Sequence, residues 1–130
     1  MEPDLQLTDS EWDLMKILWE AAPASVNAIA ERAQQTNQWH PKTVRTMLIR
    51  LDKKGLVNYS IRDGIQHYQP LFSREECESQ ATQSFLQRVF DGALTPMVAH
   101  FSSKRKLTPE EKRALLALLN DSETAAGDEK

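Results

Sequence analysis

WHPKTVRTMLIRLDKKG, residues 39–55, is the most informative stretch of this sequence. Its apolar side chains recur at i, i+3, i+4 and i+7, which is the spacing of a buried helical face. They are Val44, Met47, Leu48 and Leu51. Pro41 suits the first helical position and Gly55 the residue just past the helix end. The stretch therefore predicts a helix with one buried face and one long exposed face.

Two more helices are predicted before this stretch. Thr8 and Glu11 have the spacing of a capping box, in which each residue satisfies the other's backbone N–H at a helix start. Trp12 and the residues after it continue at helical spacing until Pro23. Ser25 then provides an N-cap for a second helix.

After the third helix the period changes from 3.6 to 2. The apolar residues Val57, Tyr59 and Ile61 alternate with polar ones, which is the period of a β-strand. Asp63 and Gly64 are the residue pair of a type I′ turn, so the chain is predicted to fold back as a β-hairpin. That turn places Tyr59 opposite Tyr68.

The C-terminal part reads as two or three helices, with capping boxes beginning at Ser73 and Thr108. It is too short for a separate core, so its apolar side chains are most simply buried against a second copy of the chain. We predict a mainly α fold with a small β-hairpin. A winged helix-turn-helix domain would occupy residues 5–71, a helical dimerisation region 72–122 and a disordered tail 123–130.

The charges are unevenly distributed along the chain. The net charge is −3 over 130 residues, yet residues 39–62 carry +5, while 1–38 carry −5 and 63–130 carry −3. One concentrated basic segment in an acidic chain is typical of a local nucleic-acid contact. The competing interpretations are an ordinary solvated helix and a winged helix that binds protein.

The exposed face of the third helix carries groups that can read DNA. Thr43, Thr46 and Arg50 lie on one side at i, i+3 and i+7. Threonine offers a hydroxyl and a methyl to base edges, and arginine binds guanine or phosphate. Arg62 at the hairpin tip can reach an adjacent backbone phosphate or the minor groove. The predicted DNA-binding residues are Lys42, Thr43, Arg45, Thr46, Arg50, Lys53 and Arg62.

Three features of the sequence resemble the penicillinase repressor family, the BlaI/MecI/CopY group. They are LTDSEWDLMKILWE, WHPKTVRTMLIRLDKKGLV and Tyr68 after a short wing. The resemblance covers roughly residues 5–120. It implies a homodimeric, sequence-specific transcriptional repressor on a two-fold symmetric operator, with intertwined C-terminal helices. The implied dimerisation residues are Phe85, Leu86, Val89, Phe90, Val98, Phe101, Leu115 and Leu119. His40 replaces a serine often found in the family and can still cap the third helix, but less well than serine.

The resemblance also implies how the repressor is released. In the antibiotic-responsive branch a membrane-bound sensor protease, a candidate partner here, cleaves an Asn-Phe bond in the dimerisation region. The matching position is His100-Phe101, the candidate cleavage site. The copper-responsive branch uses Cys-x-Cys motifs, and with Cys77 alone this chain lacks that metal site.

Other function classes lack support in the sequence. The histidines have no metal-ligand spacing, so we expect neither a metal nor a cofactor. Neither a Gly-rich phosphate loop nor a nucleophile elbow is present, so we expect no enzyme. We expect a cytoplasmic protein without membrane insertion, because no apolar run is long enough to span a bilayer. A protein-binding adaptor and a ligand-sensing regulator without proteolysis remain alternatives.

Overall fold

Six helices and three short strands make up the part of the chain described by this computed structural model, residues 6–104 and 106–128. In chain order they are α1 (Asp9–Ala21), β1 (Ala24–Ser25), α2 (Val26–Asn37), α3 (Pro41–Lys53), β2 (Val57–Arg62), β3 (Ile65–Pro70), α4 (Arg74–Phe90), α5 (Leu94–Lys104) and α6 (Pro109–Asp128). The chain divides into two compact units after Phe85, inside α4. The mainly helical fold class is as predicted.

The first three helices begin where the capping residues predict. In α1 the Thr8 hydroxyl accepts from the Glu11 amide at 3.2 Å, and the Glu11 carboxylate accepts from the Thr8 amide at 2.9 Å. The Ser25 hydroxyl caps α2 by accepting from Ala28 N at 3.1 Å. Pro41 occupies the first position of α3. These local bonds satisfy amide groups that a helix start leaves without partners.

The core of the first unit lies among α1, α2, α3 and the sheet. All four residues of the predicted apolar face of α3 are buried, with Val44 and Leu51 fully inaccessible. They pack with Leu14 and Leu18 of α1 and Ile29 of α2 in one cluster. Burying one face of α3 leaves its opposite face exposed along the whole helix.

The hairpin forms with the predicted register, and a third strand is added to it. Tyr59 pairs with Tyr68, and the turn residues Asp63 and Gly64 have φ of 53° and 77°. The unpredicted strand β1 pairs antiparallel with β3, which gives the strand order β1-β3-β2. At two residues, β1 is too short to have a recognisable alternation of apolar and polar residues.

The first compact unit runs past residue 71, where the sequence predicts the end of the winged-helix domain, to Phe85. The indole N–H of Trp19 donates to the Phe72 carbonyl at 2.9 Å, and Phe72 packs against the core. Cys77 in α4 is fully buried. These contacts keep the first turns of α4 in the first unit, which ends at Phe85.

The second unit contains the end of α4, then α5 and α6. Asp91 and Gly92 have positive φ where α4 ends, and a capping box between Thr108 and Glu111 begins α6. Helix α6 continues to Asp128, into the stretch 123–130 for which the sequence predicts a disordered tail. Residues 129–130 lie outside the described residues.

Candidate nucleic-acid interface

The predicted DNA-binding residues all lie in the first unit, and all are exposed. Six of them are on the outer face of α3, and Arg62 is the last residue of β2, beside the hairpin turn. The six on α3 are Lys42, Thr43, Arg45, Thr46, Arg50 and Lys53. One helix face and the adjacent hairpin tip therefore present these side chains to solvent.

Lys54 is the one basic residue of the 39–62 segment that does not belong to the exposed DNA-binding residues predicted above. The Lys54 ammonium lies 2.8 Å from the Glu11 carboxylate, and Lys54 is the C-cap of α3. In the part of the chain that the structure describes, the other five basic side chains of the segment make no ion pair. Their charges are therefore available to neutralise an anionic partner such as a phosphate backbone.

The Glu11 carboxylate is held in its ionised form although it is fully buried. Burial acts to raise its pKa. The hydrogen bond from Lys54 and the one from the Thr8 amide outweigh that effect, so the pKa of Glu11 lies below its ordinary value of 4.5. The pair fixes the end of α3 relative to the start of α1.

The N-terminal half of α3 is set by two local hydrogen bonds. The His40 Nδ1 accepts from the Lys42 amide at 3.1 Å, so histidine serves as the N-cap, as predicted. The Thr46 hydroxyl donates to the Lys42 carbonyl at 3.1 Å. Since its proton is used there, Thr46 offers a partner its methyl group and an acceptor oxygen. His40, Lys42, Thr43, Thr46, Met47 and Arg50 line a recess of about 420 Å³.

A second recess of about 310 Å³ lies between α3 and the hairpin. Arg45, Ile49 and Asp52 of α3 line one side, and Tyr59 and Tyr68 are among the residues on the other. The two tyrosine rings are tilted, with centroids 5.3 Å apart. Burial, followed by the negative charge of Asp52 and by Tyr59, raises the pKa of Tyr68, which therefore stays protonated.

Ile49 was not among the predicted contact residues. It lies on the exposed face of α3, and 53% of its surface is accessible. The apolar periodicity of α3 predicts that position 49 lies outside the buried face, and this periodicity is the signal in the sequence that points to Ile49. The predicted contact residues are all charged or able to form hydrogen bonds, so they do not include an apolar side chain.

Most of the predicted dimerisation residues are exposed as well. The exposed ones are Phe85, Val89, Val98, Phe101, Leu115 and Leu119, while Leu86 and Phe90 are half-buried. The candidate cleavage residues His100 and Phe101 both lie within α5. Their rings meet edge to face, with ring centroids 6.4 Å apart. These residues are spread over α4, α5 and α6.

The described residues lack the features of a metal site and of a membrane helix. They contain no group of three or more His, Cys, Asp or Glu side chains arranged to hold a metal ion. Within the same residues, no helix is long and apolar enough to cross a membrane.

A three-helix core, an exposed basic third helix and an adjacent β-hairpin define a winged helix-turn-helix DNA-binding protein. The sequence model of the penicillinase repressor family matches residues 7–121, and the chain belongs to that family. It is a DNA-binding transcriptional repressor.

Individual relatives agree with this assignment. The chain is 32% identical to the penicillinase repressor of Bacillus licheniformis over 116 residues, which cover 89% of this chain and 91% of the relative. It is 31% identical to the methicillin resistance regulatory protein MecI of Mammaliicoccus sciuri, covering 88% and 94%.

Two solved structures are similar to part of the chain. The DNA-binding domain of the repressor BlaI aligns with a TM-score of 0.53 at 32% identity, covering 58% of this chain and 93% of that one. The monomeric form of Bacillus licheniformis BlaI, solved in complex with the blaP half-operator, aligns with a TM-score of 0.50 at 32% identity, covering 55% and 87%.

Proposed function

We propose that this repressor acts as a homodimer on a two-fold symmetric operator. The observation that carries the proposal concerns the second unit: none of its described side chains, from Leu86 to Asp121, is buried. A helical unit without buried side chains cannot offset the entropy cost of folding by itself. Covering its exposed apolar residues with the same residues of a second copy provides the missing burial.

A dimer determines how the basic surface meets DNA. Each subunit would place its α3 in a major groove, and two half-sites would then lie about one helical turn, ~34 Å, apart. The relative BlaI was solved as a monomer on a half-operator, which supports the assignment of one half-site to each subunit. Because one half-site provides few contacts, tight binding would depend on the dimer. The chain would act by binding rather than by catalysis, in the cytoplasm where the DNA is.

Loss of the dimer would release the repressor from its operator. Cleavage between His100 and Phe101 by a membrane sensor protease would divide α5 and remove α6 from the second unit. The two subunits would then separate, and each would leave the operator. A ligand that perturbs the same helices would release the DNA without proteolysis.

The dimer is tested by placing a charge on the exposed apolar surface. Phe101→Asp introduces a carboxylate at a side chain that is 53% exposed. We expect sedimentation to shift towards monomer, and we expect anisotropy titrations with the promoter duplex of the protein's own gene to show weaker binding. Gln87→Asp adds the same charge at an exposed polar position of α4 and should change neither. A Phe101→Asp protein that remains dimeric would contradict the proposed interface.

The release step has its own test. Intact-mass measurement of the protein from cells exposed to a penicillin should give fragments that meet between His100 and Phe101. A cut elsewhere would contradict the proposed site. An uncut protein that has nevertheless left its operator would favour the ligand-sensing alternative.

A further inference from the structure

Ile49 is an apolar side chain at the centre of a basic helix face. It is 53% exposed, whereas the preceding residue, Leu48, is 1% exposed. Arg45 lies one turn before it and Lys53 one turn after it, and both are exposed. Any partner that contacts these two cations therefore also approaches Ile49.

Packing within the chain accounts for only part of an isoleucine at this position, because 53% of its surface stays accessible. A β-branched residue loses side-chain freedom in a helix, and an exposed apolar surface adds no burial energy. The long polar residues that favour helices would stabilise α3 more at this site. An external contact is a simpler reason for this side chain.

Ile49 also belongs to a larger apolar surface. It lines the recess between α3 and the hairpin together with Tyr59, which is 43% exposed. Ile61 is 66% exposed and is two residues further along β2, so it lies on the same face of the sheet as Tyr59. This apolar strip, Ile49, Tyr59 and Ile61, extends from α3 towards the hairpin tip.

The charges beside the strip indicate which partner it meets. Arg45, Lys53 and Arg62 make no ion pair among the described residues and outnumber Asp52, which lines the same recess, so the surroundings favour a polyanion. In the major groove the bases present donors and acceptors, and thymine alone adds a methyl group. Isoleucine has no hydrogen-bonding group, so thymine is the base whose exposed edge matches it.

We infer that Ile49 is a specificity-determining residue that contacts the C5-methyl of a thymine in each half-site. The inference rests on the proposed function, in which α3 lies in the major groove. Ile49 would favour thymine over cytosine at its position, because cytosine presents an amino group that an apolar side chain cannot pair. Arg45 and Lys53 would add affinity without selecting that base.

Removing the methyl from the DNA and the side chain from the protein tests the contact from both sides. The full-length wild-type chain is first used to select a duplex from a randomised pool. Each thymine of that duplex is then replaced by deoxyuridine, which lacks only the methyl. We expect at least one replacement in each half-site to weaken wild-type binding by about fourfold, the factor for losing one buried methyl.

The protein variants identify the side chain that senses the methyl. Ile49→Ala should bind the thymine duplex more weakly than the wild type and should lose no further affinity on the uracil duplex. Ile49→Val keeps a branched apolar group, so it should still bind the uracil duplex more weakly than the thymine duplex. Leu71→Ala removes an apolar side chain that is 47% exposed outside α3, and should bind both duplexes like the wild type.

The outcomes separate this inference from the function on which it rests. A wild-type chain that selects no duplex over a shuffled one would overturn both. Selection without any thymine-to-uracil effect would overturn the role of Ile49 and leave the repressor function intact. If Ile49→Ala keeps the wild-type melting temperature and still binds the thymine duplex more tightly than the uracil duplex, the role of Ile49 is overturned and the repressor function stays intact.

Discussion

The carboxylate of Glu11 lies 2.8 Å from the ammonium group of Lys54, which is 43 residues further along the chain. Glu11 is fully buried in the first turn of α1, and Lys54 is the C-cap of α3. The same carboxylate closes the α1 capping box with Thr8. One residue therefore stabilises the start of α1 and holds the end of α3.

Glu11→Gln should destabilise the first unit in a pH-dependent way. The pKa of Glu11 lies below 4.5 in the folded chain, so its charge stabilises the fold above the unfolded pKa. That stability is lost as the pH falls through the folded pKa. At pH 7 we expect the variant to lose about 1.5–3 kcal/mol of unfolding free energy, as for a hydrogen bond to a charged group. In urea denaturation the difference should shrink towards pH 3.

The control for this prediction is an exposed ion pair. Glu20 pairs with Arg32 at 2.8 Å, but both side chains are well exposed, so water screens the interaction. Glu20→Gln should therefore cost less than Glu11→Gln at pH 7. A Glu11→Gln deficit of the same size at every pH would contradict the electrostatic explanation.

Arg50→Ala and Lys42→Ala should weaken DNA binding in different ways. If Arg50 reads a base, its loss should cost about 1–3 kcal/mol and relax sequence preference at one position. If Lys42 contacts phosphate, its loss should weaken binding to all sequences and reduce the salt slope by about 1. Anisotropy titrations at several salt concentrations separate the two roles.

An arginine outside the proposed interface provides the comparison. Arg74 is in α4 and pairs with Glu78 in the same helix. Arg74→Ala should leave operator affinity and the salt slope unchanged. Equal effects of Arg74→Ala and Arg50→Ala would indicate that net charge, rather than the α3 surface, determines binding.

Most of the first unit could be predicted because its signals are local. Capping residues and apolar spacing predicted α1, α2 and α3, and the Asp63-Gly64 pair predicted the hairpin register. Each of these features depends on residues within a few positions of one another. The exposed face of α3 followed directly from its buried face.

The features that could not be predicted depend on contacts between distant residues. The ion pair that removes Lys54 from the basic surface joins α1 to α3. Strand β1 exists because β3 lies beside it, and the Trp19 indole donates to the carbonyl of Phe72, 53 residues further along the chain. Spacing along the chain contains no information about such partners.

Cys77 should react slowly with thiol reagents. It is fully buried, and burial, followed by the charges of Glu76 and Glu78, raises the pKa of its thiol. The thiolate is the reactive form, so little of it is present near pH 8. We expect its labelling by Ellman's reagent to be much slower in the native chain than in urea. Fast labelling of the native chain would mean that the first turns of α4 do not pack as described.

Gly64→Ala should destabilise the hairpin through the backbone alone. Gly64 has a φ of 77°, and an added Cβ would meet no atom within 4 Å, so crowding adds nothing. A left-handed conformation costs an alanine about 1–2 kcal/mol. Urea denaturation should show a loss of that size. Asp63→Asn provides the control, because asparagine also suits the first position of a type I′ turn, and it should leave stability unchanged. If Gly64→Ala is as stable as the wild type, the turn in solution does not require a positive φ at this residue.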